Sequence, residues 1–127
     1  MSEISAQELV ERARRTILRL SPPDAFTAQQ AGAVLVDLRC AADRTGEGEI
    51  TGAIPIALSV LPWRADPQSE FRDDRIADRS LTLILVCNDG YSSSLGAAWL
   101  AEMGFTKAGD VAGGFRAWSA AGLPVTR

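Results

Sequence analysis

Histidine is absent from this 127-residue chain, and cysteine occurs only twice, at Cys40 and Cys87. The first absence removes every Ser-His-Asp triad, every Cys-His pair and every histidine-based zinc site. Two cysteines are too few for a disulfide scaffold, and they are not spaced as C-x-x-C. No metal and no cofactor is expected. An excess of one charge is lacking too: 13 Lys and Arg against 16 Asp and Glu give a net charge of −3. Nucleic-acid binding leaves a basic footprint, so no nucleic-acid partner is expected. An anionic small molecule stays open, because a local cradle can oppose the global charge. The most apolar stretch, residues 81–87, falls far short of the ~20 residues that span a bilayer. The N-terminus alternates Glu, Arg and apolar residues, unlike a signal or transit peptide. The expectation is a cytoplasmic protein with no membrane partner.

What is present alternates helix and strand signals. Ser5-Ala6-Gln7-Glu8 reads as a capping box, flanked by Ile4 and Leu9 as a staple. Leu9, Ala13, Ile17 and Leu20 recur at helical spacing, with Arg12, Arg15 and Arg19 on a solvated face. Ser21-Pro22-Pro23-Asp24 starts a second helix, which stops near Gly32. Residues 34–38 and 54–58 read as strands, 39–52 as mostly loop with at most one helical turn, and 61–74 as an irregular excursion or lid. Residues 81–86 form the clearest strand, apolar without alternation and so buried on both faces. A helix through Leu95, Trp99 and Met103, a strand over 106–111 and a helix over 115–121 complete the pattern. The fold class expected is α/β: a three-layer α/β/α arrangement around a mainly parallel sheet of about five strands. One domain is expected over 1–127, with 1–20 a helical extension and 21–127 the core.

Cys87 follows the clearest strand, at the sheet edge where open parallel sheets bind ligands. Two readings of it stand side by side. It is an inert small hydrophobe ending a strand, or it is a thiolate. If Ser92 or Ser93 opens the next helix, backbone N–H groups from Asn88 to Ser93 can converge on the sulfur. The positive end of that helix then favours the anion.

Cys87-Asn88-Asp89-Gly90-Tyr91-Ser92-Ser93 resembles the Cys-x-x-Gly-x-Arg loop of rhodanese-like domains. Leu35-Val36-Asp37-Leu38-Arg39 is similar to that family's Asp-x-Arg strand end, and Gly48-Glu49-Ile50-Thr51-Gly52-Ala53 to its Gly-His-Ile-Pro-Gly-Ala segment. Gly113-Gly114-Phe115-Arg116-Ala117-Trp118 and Gly122-Leu123-Pro124-Val125 resemble its C-terminal signature. Four motifs in order over 21–125 leave only the first helix outside the resemblance. The resemblance implies a sulfurtransferase in which Cys87 takes sulfur from a small sulfane donor, holds it as a persulfide, and passes it to a thiol, cyanide or protein acceptor. It implies a substrate-binding loop of Asn88, Asp89, Gly90, Tyr91, Ser92 and Ser93. Attack on sulfane sulfur needs a thiolate but no protonated leaving group, so a site without histidine suffices.

Ser92 stands where the family has arginine, and Glu49 where it has histidine. Loss of the guanidinium fork argues against efficient thiosulfate use and for a bulkier or neutral persulfide donor. Arg64 is a candidate to reach over the loop and restore a cation. Asp89 opposes a thiolate if it points at the sulfur. Asp37 and Arg39 are expected to fix loops as an ion pair, the serines to cap the helix, and Cys40 to be a loop residue on the same sheet edge. The alternative to a sulfurtransferase is a non-catalytic or regulatory rhodanese-like module. A phosphatase or arsenate reductase of the same fold is disfavoured by the missing loop arginine.

Overall fold

The computed structural model describes residues 3–127; the first two positions of the 1–20 extension lie outside the described residues. Five parallel strands form the main sheet in the order β1 (Leu18–Leu20), β6 (Ala108–Val111), β5 (Leu83–Val86), β2 (Val34–Asp37), β4 (Ile54–Pro55). Strands β3 (Glu49–Ile50) and β7 (Val125–Thr126) pair as an antiparallel ribbon. The expected three-layer α/β/α architecture is present.

The pleat explains the layers. In β2 and β5, Val36, Leu83 and Leu85 face one cluster with Leu61, Ala97, Leu100 and Phe105. Their neighbours Leu35, Ile84 and Val86 face the other with Ala25, Phe115 and Trp118. Successive strand side chains point to opposite faces, and here both faces are covered, so the strands read as unbroken apolar runs. Helix α5 (Ser92–Glu102) covers the first face, joined by α1 (Ala6–Arg14) and by α4 (Leu61–Ala65), which follows the 3-10 turn at Leu58–Val60. Helices α2 (Pro22–Gln30) and α6 (Gly114–Ala120) cover the second.

Two local expectations are corrected. The first helix ends at Arg14 rather than running to Leu20, and Leu18–Leu20 becomes the edge strand β1 beside Gly109, Asp110 and Val111. Tertiary pairing overrides the helical spacing of Ile17 and Leu20 there. Residues 39–52 are not mostly loop: Ala41–Glu47 forms helix α3, starting at Cys40 and ending on Gly48. Ser5 and Ser21 do cap α1 and α2, accepting the N–H groups of Glu8 and Asp24.

Candidate active site

Three adjacent strands bring their carboxyl ends together. In register, Asp37 of β2 pairs with Val86 of β5, and Leu85 of β5 with Asp110 of β6. Cys87, one residue beyond β5, is buried between the two acids. Its Sγ accepts the backbone N–H of Gly90 at 3.1 Å and of Ser93 at 3.4 Å, and lies 3.2 Å from Ser93 Oγ. The sulfur therefore occupies the place of a capping side chain for α5. Tyr91 stands at the N-cap without a side-chain bond, and Ser92, Ser93 and Ser94 form the first turn. The hydroxyls of Ser93 and Ser94 turn inward, both to Asp110 Oδ2, at 2.8 and 2.7 Å. The expectation that the serines cap the helix is corrected on this point. Burial raises the Cys87 pKa, but the Ser93 and Ser92 hydroxyls and the Ser93 and Gly90 N–H groups outweigh it, so the thiol lies below its ordinary value.

The loop is held from both sides. Phe115 and Arg116, at the start of α6, donate their N–H groups to the carbonyls of Cys87 and Asn88 at 2.8 and 3.2 Å. On the other side, Arg14 Nη2 and Arg19 Nη2 each donate to the Gly90 carbonyl at 2.8 Å. Arg14 also donates to Ser94 Oγ at 3.1 Å, and its guanidinium lies 5.7 Å from the Tyr91 ring centre. Both arginines come from the segment before the resemblance begins. Two cations on one carbonyl fix the peptide that follows Gly90 and orient the turn whose N–H groups face the sulfur. Replacing both by alanine should slow alkylation of Cys87 at neutral pH by about tenfold, the effect of losing ~1.4 kcal/mol of thiolate stabilisation. A rate equal to that of the native protein would assign them a structural role only.

An open cavity of about 240 Å³ at the loop is lined by Arg39, Cys87, Asn88, Asp89, Tyr91 and Ser92. A larger cleft of about 420 Å³ lies between α1 and α5, around Leu9, Ala98 and Trp99, but neither cysteine lines it. Arg39 is bound to Asp37 through Nε–Oδ1 at 3.1 Å and Nη2–Oδ2 at 2.9 Å, and its guanidinium stacks 3.7 Å from the Phe115 ring centre. Asp89 is half exposed and turned away from the sulfur onto Arg116, at 2.7 Å. Asn88 donates to Asp43 Oδ2 at 3.1 Å, an oxygen that also accepts from the exposed Cys40 thiol at 3.3 Å. Asn88 and Cys40 together hold the Asp43 carboxyl below the usual range. Among the described residues, no cluster of acidic or cysteine side chains has a metal-binding arrangement.

Residues 22–121 match the rhodanese-like domain family. The chain belongs to the rhodanese-like family. The thiosulfate sulfurtransferase GlpE of Pseudomonas entomophila is 34% identical over 100 residues, covering 79% of this chain and 83% of the relative. A sulfurtransferase of Allochromatium vinosum is 29% identical over 92 residues, covering 72% and 77%. Among solved structures, a Rhodopseudomonas palustris protein of unknown function, described as a possible tyrosine phosphatase, superposes with a TM-score of 0.89 at 26% identity. It covers 98% of this chain and 96% of its own. The human single-domain sulfurtransferase TSTD1 matches at a TM-score of 0.66 and 23% identity, covering 83% and 96%; at that identity the likeness is one of fold.

Within this rhodanese-like domain, most of the residues singled out in the sequence converge. Cys87, Asn88, Asp89, Tyr91, Ser92 and Arg39 line one cavity, with Gly90 and Ser93 bound to the sulfur and Asp37 behind Arg39. Arg64 is not brought to it. Its Nη1 donates to the Phe71 carbonyl at 3.1 Å, in a separate hollow with Val60, Trp63 and Phe71. The loop therefore does not recover its missing cation from Arg64. Sequence reasoning missed Arg14 and Asp110, gave Ser94 only a capping role, and placed Arg19 on a solvated face. The one available signal was an aspartate in the otherwise apolar strand β6, Ala108-Gly109-Asp110-Val111.

Proposed function

We propose that this protein is a sulfurtransferase that carries sulfane sulfur as a persulfide on Cys87. The observation that carries the reading is the sulfur itself, buried at the start of α5 with two N–H groups aimed at it and an acidity raised by hydrogen bonding. The thiolate attacks the outer sulfur of a donor, the bond to the donor's leaving group breaks, and that group departs with the electron pair. The Cys87 persulfide then yields its terminal sulfur to a thiol, cyanide or a protein thiolate, and the Cys87 thiolate is regenerated. No acid is required at either step, because both leaving groups depart as stable anions.

The donor follows from what surrounds the cavity. Arg39 is the cation lining it, and its fork is already bound to Asp37. Ser92 contributes a hydroxyl where a guanidinium would hold a dianion. Asp89 lies at the rim, neutralised by Arg116. This favours a low-molecular-weight persulfide over thiosulfate, the substrate in the name of the GlpE relatives. The same lack of a fork disfavours the phosphatase suggested for the Rhodopseudomonas palustris protein, since a tetrahedral dianion needs that cation. Among the described residues no helix is long and apolar enough to cross a membrane, which is compatible with a cytoplasmic place of action.

Intact-mass measurement after incubation with a glutathione-type persulfide should show the gain of one sulfur atom, absent in Cys87→Ala, with a smaller gain from thiosulfate. Failure of every donor to add sulfur would leave the non-catalytic module as the better reading.

A further inference from the structure

The bond that lowers the Cys87 pKa and the bond drawn from Ser93 to Asp110 compete for one hydrogen. The Ser93 hydroxyl has a single proton, and at 2.8 Å it donates that proton to Asp110 Oδ2. Its oxygen then accepts from the Cys87 thiol at 3.2 Å. To support a thiolate, the same hydroxyl must turn its proton to the sulfur. It is released to do so only if Asp110 stops requiring it.

We propose that Cys87, Ser93 and Asp110 form a relay holding one shared proton, so that the thiolate arises by moving the thiol proton inward to Asp110 rather than to solvent. The S–H proton passes to Ser93 Oγ while the Ser93 proton passes to Asp110 Oδ2. No bond is oxidised or reduced. The product pair is a thiolate accepting from Ser93 O–H, and a neutral carboxyl donating back to Ser93 Oγ.

Asp110 fits this role by position. It is fully buried at the end of β6, in register with β5 and beneath the loop. Its Oδ2 takes both serine hydroxyls, while Oδ1 has no hydrogen-bond partner among the described residues and is ion-paired with Arg19 Nε at 3.4 Å. A charged carboxylate this deep beside a thiolate would repel it; sharing a proton removes the second negative charge. The other charged groups around the pair are all engaged. Arg14 on α1 binds the Gly90 carbonyl, whereas Arg19 on β1 divides its guanidinium between that carbonyl and Asp110 itself, a pairing that favours the carboxylate and that the shared proton must outcompete. Arg39 beyond β2 is paired with Asp37, and Asp89 in the loop with Arg116 of α6. None lies between Ser93 and either end of the relay. Ser93 touches the reacting sulfur and is a catalytic residue in this scheme; Asp110 acts through it and is a positioning residue.

The relay deepens the reading of Cys87 as sulfur carrier, but its test uses no sulfur donor. A failure of persulfide formation and a failure of the relay are thus separate results. A coupled pair sharing one proton titrates as a unit. In the native protein, alkylation of Cys87 should change less than about threefold between about pH 6 and 8, whereas Asp110→Asn should climb about tenfold per pH unit, as a lone thiol does. Infrared difference spectra at neutral pH should show a carboxylic-acid C=O band that disappears when Cys87 is alkylated. This second readout uses the native chain and does not depend on the variant folding. No such band, or an Asp110→Asn profile superimposable on the native one, overturns the proposal and leaves Asp110 a structural acceptor for the first turn of α5.

Discussion

Replacing Asp37 by alanine is expected to destabilise this protein by about 3–5 kcal/mol, the cost of leaving a buried charge without its partner. Arg39 is almost fully buried, and its guanidinium relies on Asp37 for two charge-assisted bonds, at 3.1 and 2.9 Å. Asp37 Oδ1 also accepts the Arg39 backbone N–H at 3.0 Å, so the carboxylate shapes the turn as well as balancing the charge. What remains to Arg39 after the substitution is the Gly48 carbonyl at 2.7 Å and the face of Phe115. Neither carries negative charge. Chemical unfolding should show a lower midpoint with an unchanged slope. Asp37→Asn, which keeps an acceptor for the N–H but not the charge, should fall between alanine and native. A loss below about 1 kcal/mol would mean that Arg39 escapes to solvent when unpaired.

The second large effect is expected at Gly114. Its φ is +65°, and a Cβ added there would run into the carbonyl oxygen of Cys87 and meet Asn88 backbone atoms at 2.7 Å. Gly114→Ala thus combines a strained backbone, about 1–3 kcal/mol, with a collision against the backbone of Cys87 and Asn88. Backbone cannot rotate aside as a side chain can, so α6 and the loop must separate. That separation breaks the bonds from Phe115 and Arg116 to the Cys87 and Asn88 carbonyls. Both stability and Cys87 reactivity should fall, with thermal unfolding and alkylation rate as the two readouts. Gly122 supplies the control. It has a similar φ of +74° but open space around the added Cβ, so Gly122→Ala should cost only that same conformational part, about 1–3 kcal/mol, and leave alkylation unchanged. Equal losses at the two positions would refute the steric account.

Much of the fold is legible in the chain because local rules and tertiary packing agree. Ser5 and Ser21 are capping residues in any context, and Leu83-Ile84-Leu85-Val86 has no polar face to expose. Where the two disagree, the sequence misleads. Ile17 and Leu20 continue the helical spacing of α1, yet β6 offers unpaired backbone groups to Leu18, Arg19 and Leu20, and edge pairing prevails. Gly109 makes that approach possible, since a side chain there would strike the Leu18 carbonyl. Helix α3 reads in the sequence as no more than a single turn because its polar, glycine-containing stretch, Ala41-Ala42-Asp43-Arg44-Thr45-Gly46-Glu47, has no apolar stripe to announce it.

The candidate site divides along the same line. By itself the sequence determined the cysteine at the sheet edge, the strand that delivers it, the helix start beside it, the resemblance to the family, and the absence of both a histidine base and a loop arginine. These are properties of residues adjacent in the chain. Only the tertiary structure decided that Asp89 turns away from the sulfur, that Arg64 sits elsewhere, and that Arg14 and Arg19 grip Gly90 from more than seventy positions away. It alone set Asp110 beneath Ser93. Side-chain partners drawn from different strands and helices depend on register and on which face each element presents, and no local pattern in the chain encodes either.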